Sequence, residues 1–88
     1  MIRRKVKVVN KLGMHARPAT MIVKTAMKYR SKFIIKKDGA EINGKSIMGV
    51  MTLAAEYGSE LELIADGVDE EYLMNDIVEL FASKFGEE

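Results

Sequence analysis

The apolar residues of this chain change their spacing several times, and these changes limit the folds that it can adopt. In residues 2–9 apolar and charged residues alternate, as in a strand with one buried face. In residues 16–29 the apolar side chains of Ala19, Ile22, Val23 and Ala26 fall at the spacing of an amphipathic helix. The switch between the two periods predicts a chain that mixes strands with helices.

The rest of the chain continues this mixture. Further strands are predicted at residues 33–37, 40–43 and 60–65. Asp38-Gly39 is a strong signal for a two-residue hairpin turn. Ser46 predicts the N-cap of a short helix that extends through Leu53, and Asp69 predicts the cap of a last helix. The inner face of that last helix is predicted from Leu73, Ile77, Leu80 and Phe81, with Lys84 at its edge. The order βαββαβα predicts a two-layer α+β sandwich, with residues 1–88 as a single domain.

The composition excludes several kinds of site. The chain has no cysteine, which excludes disulfides, a thiol nucleophile and cysteine-based metal sites, and its single histidine argues against any metal centre. A chain of 88 residues is too small for a deep cofactor pocket, so we expect no cofactor. No apolar run resembles a signal peptide or reaches the length of a membrane span, so we expect a cytoplasmic protein without membrane insertion.

Charge is distributed unevenly along the chain. Residues 1–45 contain 13 of the 14 Lys and Arg residues, whereas residues 46–88 contain 11 of the 13 acidic residues. A basic half can indicate nucleic-acid binding, but the aromatic residues are not interleaved with the basic ones as a stacking surface requires. We therefore expect the two halves to neutralise each other across neighbouring strands, and no nucleic-acid partner.

His15 lies where a loop is predicted to end and the first helix to begin. The first N–H groups of a helix have no internal partners and form a site for anions. Gly13 gives the preceding turn freedom, Pro18 fits the first helical turn, and Arg17 adds a planar cation suited to phosphate oxygens. The helix terminus and Arg17 both disfavour imidazolium and so favour a nucleophilic ring. These residues predict a phosphoryl acceptor at His15.

Two segments, NKLGMHARPA at residues 10–19 and GKSIMGVM at residues 44–51, resemble the HPr family of the phosphoenolpyruvate-dependent sugar phosphotransferase system. The predicted element order matches that family along the whole chain. The resemblance implies an open-faced sandwich in which three helices cover one face of a four-stranded antiparallel sheet with strand order 1-4-2-3. It also implies a phosphocarrier rather than an enzyme. Enzyme I would phosphorylate His15 on Nδ1, Arg17 would contact the phosphoryl group, and enzyme IIA domains of sugar permeases would receive it.

The second segment suggests regulation and docking. Capping alone would explain Ser46, but the resemblance implies regulatory phosphorylation of Ser46 by an HPr kinase/phosphorylase, and a catabolite control protein as a further partner. A docking face with an apolar centre and a basic rim suits a carrier with several acceptors. It is predicted from Met14, Arg17, Met21, Lys24, Lys28, Lys45, Ile47, Met48 and Met51. We expect the protein to be a monomer.

Parts of the sequence also suggest three other functions. Residues 39–46 match the nucleotide-binding pattern G-x-x-x-x-G-K-S. We reject this interpretation because residues 40–43 are predicted as a strand, whereas a phosphate cradle needs them in a loop. A purely regulatory relative of the carrier fits poorly with the presence of His15. A carrier for a nitrogen-related branch of the phosphotransferase system remains an alternative.

Overall fold

The computed structural model describes residues 1–87, and its elements follow the predicted order. In chain order they are β1 (Ile2–Lys7), α1 (Ala16–Ala26), β2 (Lys32–Lys37), β3 (Ala40–Asn43), α2 (Ile47–Thr52), β4 (Glu60–Asp66), α3 (Glu70–Ala82) and a 3₁₀ turn (Lys84–Gly86). Within residues 1–87, no helix combines the length and the apolar character needed to cross a membrane. The predicted βαββαβα arrangement is confirmed.

The four strands form one antiparallel sheet in the order β1-β4-β2-β3, as the resemblance implied. Asp38 and Gly39 have φ angles of 49° and 86°, which are the left-handed values of a tight hairpin turn. On the open face of the sheet Glu62 lies opposite Lys5 on one side and Lys36 on the other. The expected neutralisation of the basic and acidic halves across strands is therefore confirmed.

The helices bury one face of the sheet. Phe33 and Ile35 from β2 and Leu63 from β4 are buried beneath α1 and α3, which contribute residues such as Ile22 and Ile77. Each side chain of this size stabilises the fold by about 1.5–3 kcal/mol when it leaves water. Because this core lies beneath α1, the start of that helix has a defined position at one end of the molecule.

Helix α1 ends at Ala26, three residues before the predicted boundary. The N–H groups of Lys28 and Tyr29 bond to the carbonyls of Thr25 and Ala26, three residues back, so the chain tightens out of the α-helix. The ammonium of Lys45 then donates to the Tyr29 carbonyl at 2.9 Å. A lysine beyond the predicted hairpin thus stabilises the end of α1, which the spacing within the helix could not indicate.

Asp69 occupies the N-cap position of α3, but its side chain makes no capping bond. Its carboxylate instead accepts the backbone N–H groups of Arg30 and Ser31, each at 2.9 Å, and the Ser31 hydroxyl. The predicted capping role of this side chain is therefore wrong, because the loop after α1 competes for the same oxygens. The Ser31 hydroxyl and the Arg30 amide lower the pKa of Asp69 to about 2. The contact joins the end of α1 to the start of α3.

Replacing Asp69 by asparagine is expected to destabilise the protein most at neutral pH. Because the pKa of Asp69 falls from 3.8 to about 2 on folding, the charged form stabilises the fold above pH 3.8. This contribution is lost as the pH falls towards about 2, and the difference between wild type and Asp69→Asn should shrink over the same interval. This difference in stability is measured from the urea unfolding midpoints of both proteins at a series of pH values. A difference that stays constant down to about pH 2 would contradict this assignment.

Candidate histidine site at the start of the first helix

The loop before α1 places His15 as the N-cap residue of that helix. Its backbone is extended (φ −82°, ψ −172°), and its carbonyl accepts the Ala19 N–H at 3.1 Å. The Met14 N–H donates to the Ala55 carbonyl at 2.8 Å. Gly13 has a φ of +72°, and a Cβ atom there would lie 2.7 Å from the same Ala55 oxygen. Glycine is therefore required for the close approach that holds His15 in place.

The imidazole lies at the positive end of α1 and remains accessible. The side chain of His15 is 36% exposed. Ala16 and Arg17 are the first two residues of the helix, so their N–H groups have no partner within it, and Pro18 has no N–H group. Among residues 1–87, two amide donors without a partner in the helix thus lie beside a partly exposed histidine.

A carboxylate lies where the sequence analysis predicted only positive groups. Oε2 of Glu87 is 2.8 Å from Nε2 of His15 and 3.1 Å from Nη1 of Arg17. The Glu87 side chain is only 12% exposed. Arg17 and His15 therefore meet through Glu87 rather than by direct contact.

Asn10 holds the other oxygen of this carboxylate. It is fully buried, and its Nδ2 donates to the Gly13 carbonyl at 2.8 Å and to Oε1 of Glu87 at 2.9 Å. The bond from Asn10 lowers the pKa of Glu87, and the bonds from His15 and Arg17 act in the same direction. Glu87 is therefore ionised at neutral pH and can only accept hydrogen bonds.

The last residues of the described chain bring Glu87 to the site. Phe85 is fully buried, and its ring meets that of Phe81 edge to face with centroids 4.9 Å apart. Lys84 and Phe85 have φ angles of 57° and 55°, so the chain reverses after α3. Neither Asn10 nor Glu87 was predicted as a site residue, because the carboxylate that joins Asn10 to His15 lies 72 positions beyond His15. No local pattern links residues so far apart.

The structure places the predicted docking residues unequally. We use the term docking surface for the exposed side chains of α1, α2 and the turn after α1: Arg17, Lys24, Lys28, Ile47, Met48 and Met51. Met21 is half-buried beside them. Met14, by contrast, is 6% exposed and belongs to the core, and the Lys45 ammonium is bonded to Tyr29. Met14 is therefore not available to the predicted docking face, whereas Lys45 is partly exposed and has one of its three N–H donors bonded to Tyr29.

Ser46 caps α2 as predicted. Its Oγ accepts the Gly49 N–H at 3.0 Å, and its backbone has the extended conformation of an N-cap. A hydroxyl in this position stabilises a helix by about 1 kcal/mol. The capping prediction is therefore confirmed.

The segment that matches the nucleotide-binding pattern has another structure. Residues 40–43 form β3, and the Gly44 N–H continues the ladder by donating to the Phe33 carbonyl at 2.7 Å. A Cβ atom on Gly44 would lie 2.1 Å from the Phe33 ring. The glycine is therefore needed for packing, and the segment does not surround a phosphate. In residues 1–87 no three His, Cys, Asp or Glu residues are grouped as metal ligands.

Comparisons with known proteins agree with this fold and site. A family model described as the PTS HPr component phosphorylation site matches residues 2–83. Phosphocarrier protein HPr of Treponema pallidum (strain Nichols) is 48% identical over 88 residues, which cover 100% of both chains. HPr-like protein Crh of Bacillus subtilis (strain 168) is 46% identical over 71 residues, covering 81% of this chain and 84% of its own. HPr-C-His from Thermoanaerobacter tengcongensis has a crystal structure with a TM-score of 0.96 at 44% identity, covering 100% and 99% of the two chains.

The fold and the matches together define a phosphocarrier, a protein that carries a phosphoryl group and is not itself a catalytic enzyme. The chain belongs to the HPr family of the phosphotransferase system. Phosphohistidine chemistry, a role in sugar transport and partners within that system follow from this membership.

Proposed function

We propose that this chain accepts a phosphoryl group from enzyme I on His15 and passes it to enzyme IIA domains of sugar permeases. The observation that carries the proposal is the position of His15, a partly exposed N-cap residue with two free amides and Arg17 beside it. Residues 1–88 act as one carrier domain in the cytoplasm. We further propose that the carrier is monomeric, since its docking surface must be free for each partner in turn.

Arg17 and the helix amides supply the electrostatic part of the mechanism. A phosphoryl group on histidine carries most of two negative charges at neutral pH. The amides of Ala16 and Arg17 can donate to its oxygens, and the Arg17 guanidinium can turn from Glu87 towards them. These donors bind the group without forming a covalent bond to it, so a partner histidine can remove it again.

The test is phosphorylation by phosphoenolpyruvate and enzyme I, followed by mapping of the labelled residue. We expect one phosphate per chain on His15, stable in alkali and lost in acid, and its transfer to an added enzyme IIA domain. Mg-ATP without enzyme I is the control and should give no label on His15. A label on another residue, or none with active enzyme I, would contradict the proposal.

The docking surface is proposed to bind enzyme I and enzyme IIA domains. Ile47 and Met48 are exposed apolar side chains on α2, and Met48 has 76% of its surface in solvent. Lys24 and Lys28 add exposed positive charge nearby, on α1 and in the turn that follows it. An apolar centre with a basic rim suits partners whose own docking surfaces are acidic.

Ser46 is proposed as a regulatory site, phosphorylated by an HPr kinase/phosphorylase and then bound by a catabolite control protein. Its hydroxyl lies at the start of α2, next to the exposed Ile47 and Met48. Phosphate there would keep the cap, because its oxygens can also accept the Gly49 N–H. It would also place negative charge beside an otherwise basic docking surface.

Replacing Ser46 by aspartate is expected to weaken docking on enzyme I. The KM for this chain as substrate of enzyme I should rise several-fold, since each exposed ion pair that is offset contributes about 0.2–1 kcal/mol. Asparagine at the same position is the matched control, because it caps helices as well as aspartate does but carries no charge. Equal KM values for Ser46→Asp and Ser46→Asn would contradict the electrostatic explanation.

A further inference from the structure

Glu87 makes a set of contacts that the proposed carrier mechanism does not use. Its two oxygens are divided between Asn10 on one side and the pair His15 and Arg17 on the other. Asn10 is fully buried and is itself fixed by its bond to the Gly13 carbonyl. A nearly buried carboxylate held by a buried amide is a rigid support, so the imidazole that it contacts is also held in one orientation.

We propose that Glu87 is a positioning residue for phosphoryl transfer, holding the His15 ring with its proton on Nε2 and its lone pair on Nδ1. The inference rests on the proposed role of His15 as phosphoryl acceptor. An ionised carboxylate has no proton to donate, so the contact at 2.8 Å requires a proton on Nε2 of His15. In a neutral ring the other nitrogen, Nδ1, is then the nucleophile. Among the contacts of residues 1–87, the ring bonds through Nε2 alone.

The transfer step adds a second effect of Glu87. The Nδ1 lone pair forms the bond to phosphorus, and the bond between phosphorus and the donor atom of phosphorylated enzyme I breaks, with its electrons remaining on that atom. The proton on Nε2 of His15 stays in place, so positive charge develops on the ring. Glu87 stabilises this charge, much as a buried carboxylate does for the histidine of a hydrolase triad.

Repulsion between Glu87 and the incoming phosphoryl group opposes this effect and is limited by distance and by Arg17. The carboxylate touches the ring at Nε2, whereas the phosphoryl group arrives at Nδ1, on the other side of the ring carbon between the two nitrogens. Coulomb energy falls with distance, so the separation across the ring weakens a repulsion that the double charge of the phosphoryl group would otherwise make strong. Arg17, which contacts the same carboxylate oxygen, reduces the repulsion further.

The test compares the full chain with its Glu87→Ala variant by two readouts. Nitrogen NMR of the ¹⁵N-labelled imidazole, recorded as the pH is raised until the ¹⁵N shifts stop changing, reports which nitrogen of the neutral ring carries the proton. Wild type should hold it on Nε2, and Glu87→Ala should show a larger share on Nδ1. The rate of phosphorylation by enzyme I should fall about threefold to tenfold, the range expected for one hydrogen bond.

Two further variants separate positioning from a general effect of charge. Glu87→Gln retains an acceptor oxygen, so it should keep the Nε2 proton and give a rate between those of wild type and Glu87→Ala. Glu71→Ala removes the same charge from an exposed position on α3 and should match wild type in both readouts. Thermal unfolding of each variant verifies that the fold is retained.

The outcomes distinguish this inference from the proposed function. An unchanged proton position, an unchanged rate or a faster rate in Glu87→Ala would overturn the role of Glu87. A faster rate would mean that the carboxylate only blocks the site. If wild type accepts no phosphate on His15, the proposed function fails instead, and the NMR comparison still shows whether Glu87 sets the position of the ring proton.

Discussion

Replacing His15 by alanine is expected to abolish phosphorylation by enzyme I while the fold remains intact. No other side chain at the start of α1 offers a nucleophilic nitrogen, because the guanidinium of Arg17 is a donor without a free lone pair. Loss of a nucleophile lowers the rate by about 10⁴-fold or more in enzymes that depend on one. The phosphorylation rate with phosphoenolpyruvate and enzyme I measures the effect.

The fold should tolerate this substitution for a structural reason. The His15 side chain is 36% exposed and makes no capping bond to α1, so little packing is lost with it. Circular dichroism and a thermal unfolding curve close to those of wild type verify this. Asn75→Ala, at an exposed position on α3, is a control that should be phosphorylated normally. Substantial labelling of the His15→Ala protein would place the acceptor elsewhere.

Replacing Phe85 by alanine is expected to cause a large loss of stability. Phe85 is fully buried and packs against Phe81, and removing such a ring costs about 3–5 kcal/mol. The free energy of unfolding of a small domain is only about 5–15 kcal/mol, so this loss is a large part of the total stability. Denaturant unfolding measures it. The left-handed backbone at this position disfavours alanine and phenylalanine alike, so the change reports mainly on packing.

The same substitution should also affect the histidine site. Phe85 anchors the turn that carries Glu87 to His15, so its loss should release the carboxylate and slow phosphorylation as Glu87→Ala does. Phe85→Leu is the matched control, since it keeps most of the apolar volume and should lose less stability and less activity. Equal stabilities of the alanine and leucine variants would contradict the anchoring role of the ring.

The sequence by itself determined the elements and the features that depend on near neighbours. The period of the apolar residues predicted the first and last strands and the first helix, because it decides which side of an element can be buried. The hairpin at Asp38-Gly39 and the cap at Ser46 were also predicted, since both depend on bonds within a few residues. The position of His15 beside Arg17 at a helix start was predicted in the same way. The order of the strands in the sheet, however, was predicted from the family resemblance and not from the spacing of the apolar residues.

Only the tertiary structure decided the contacts between distant segments. Asp69 bonds to Arg30 and Ser31 instead of capping α3, and Lys45 stabilises the end of α1. Glu87 reaches His15 because the chain turns after α3 through the left-handed residues Lys84, Phe85 and Gly86, with Phe85 buried. Polar side chains in a small protein bind the nearest donor or acceptor in space. Which partner is nearest depends on how the core packs, and one segment of sequence does not contain that information.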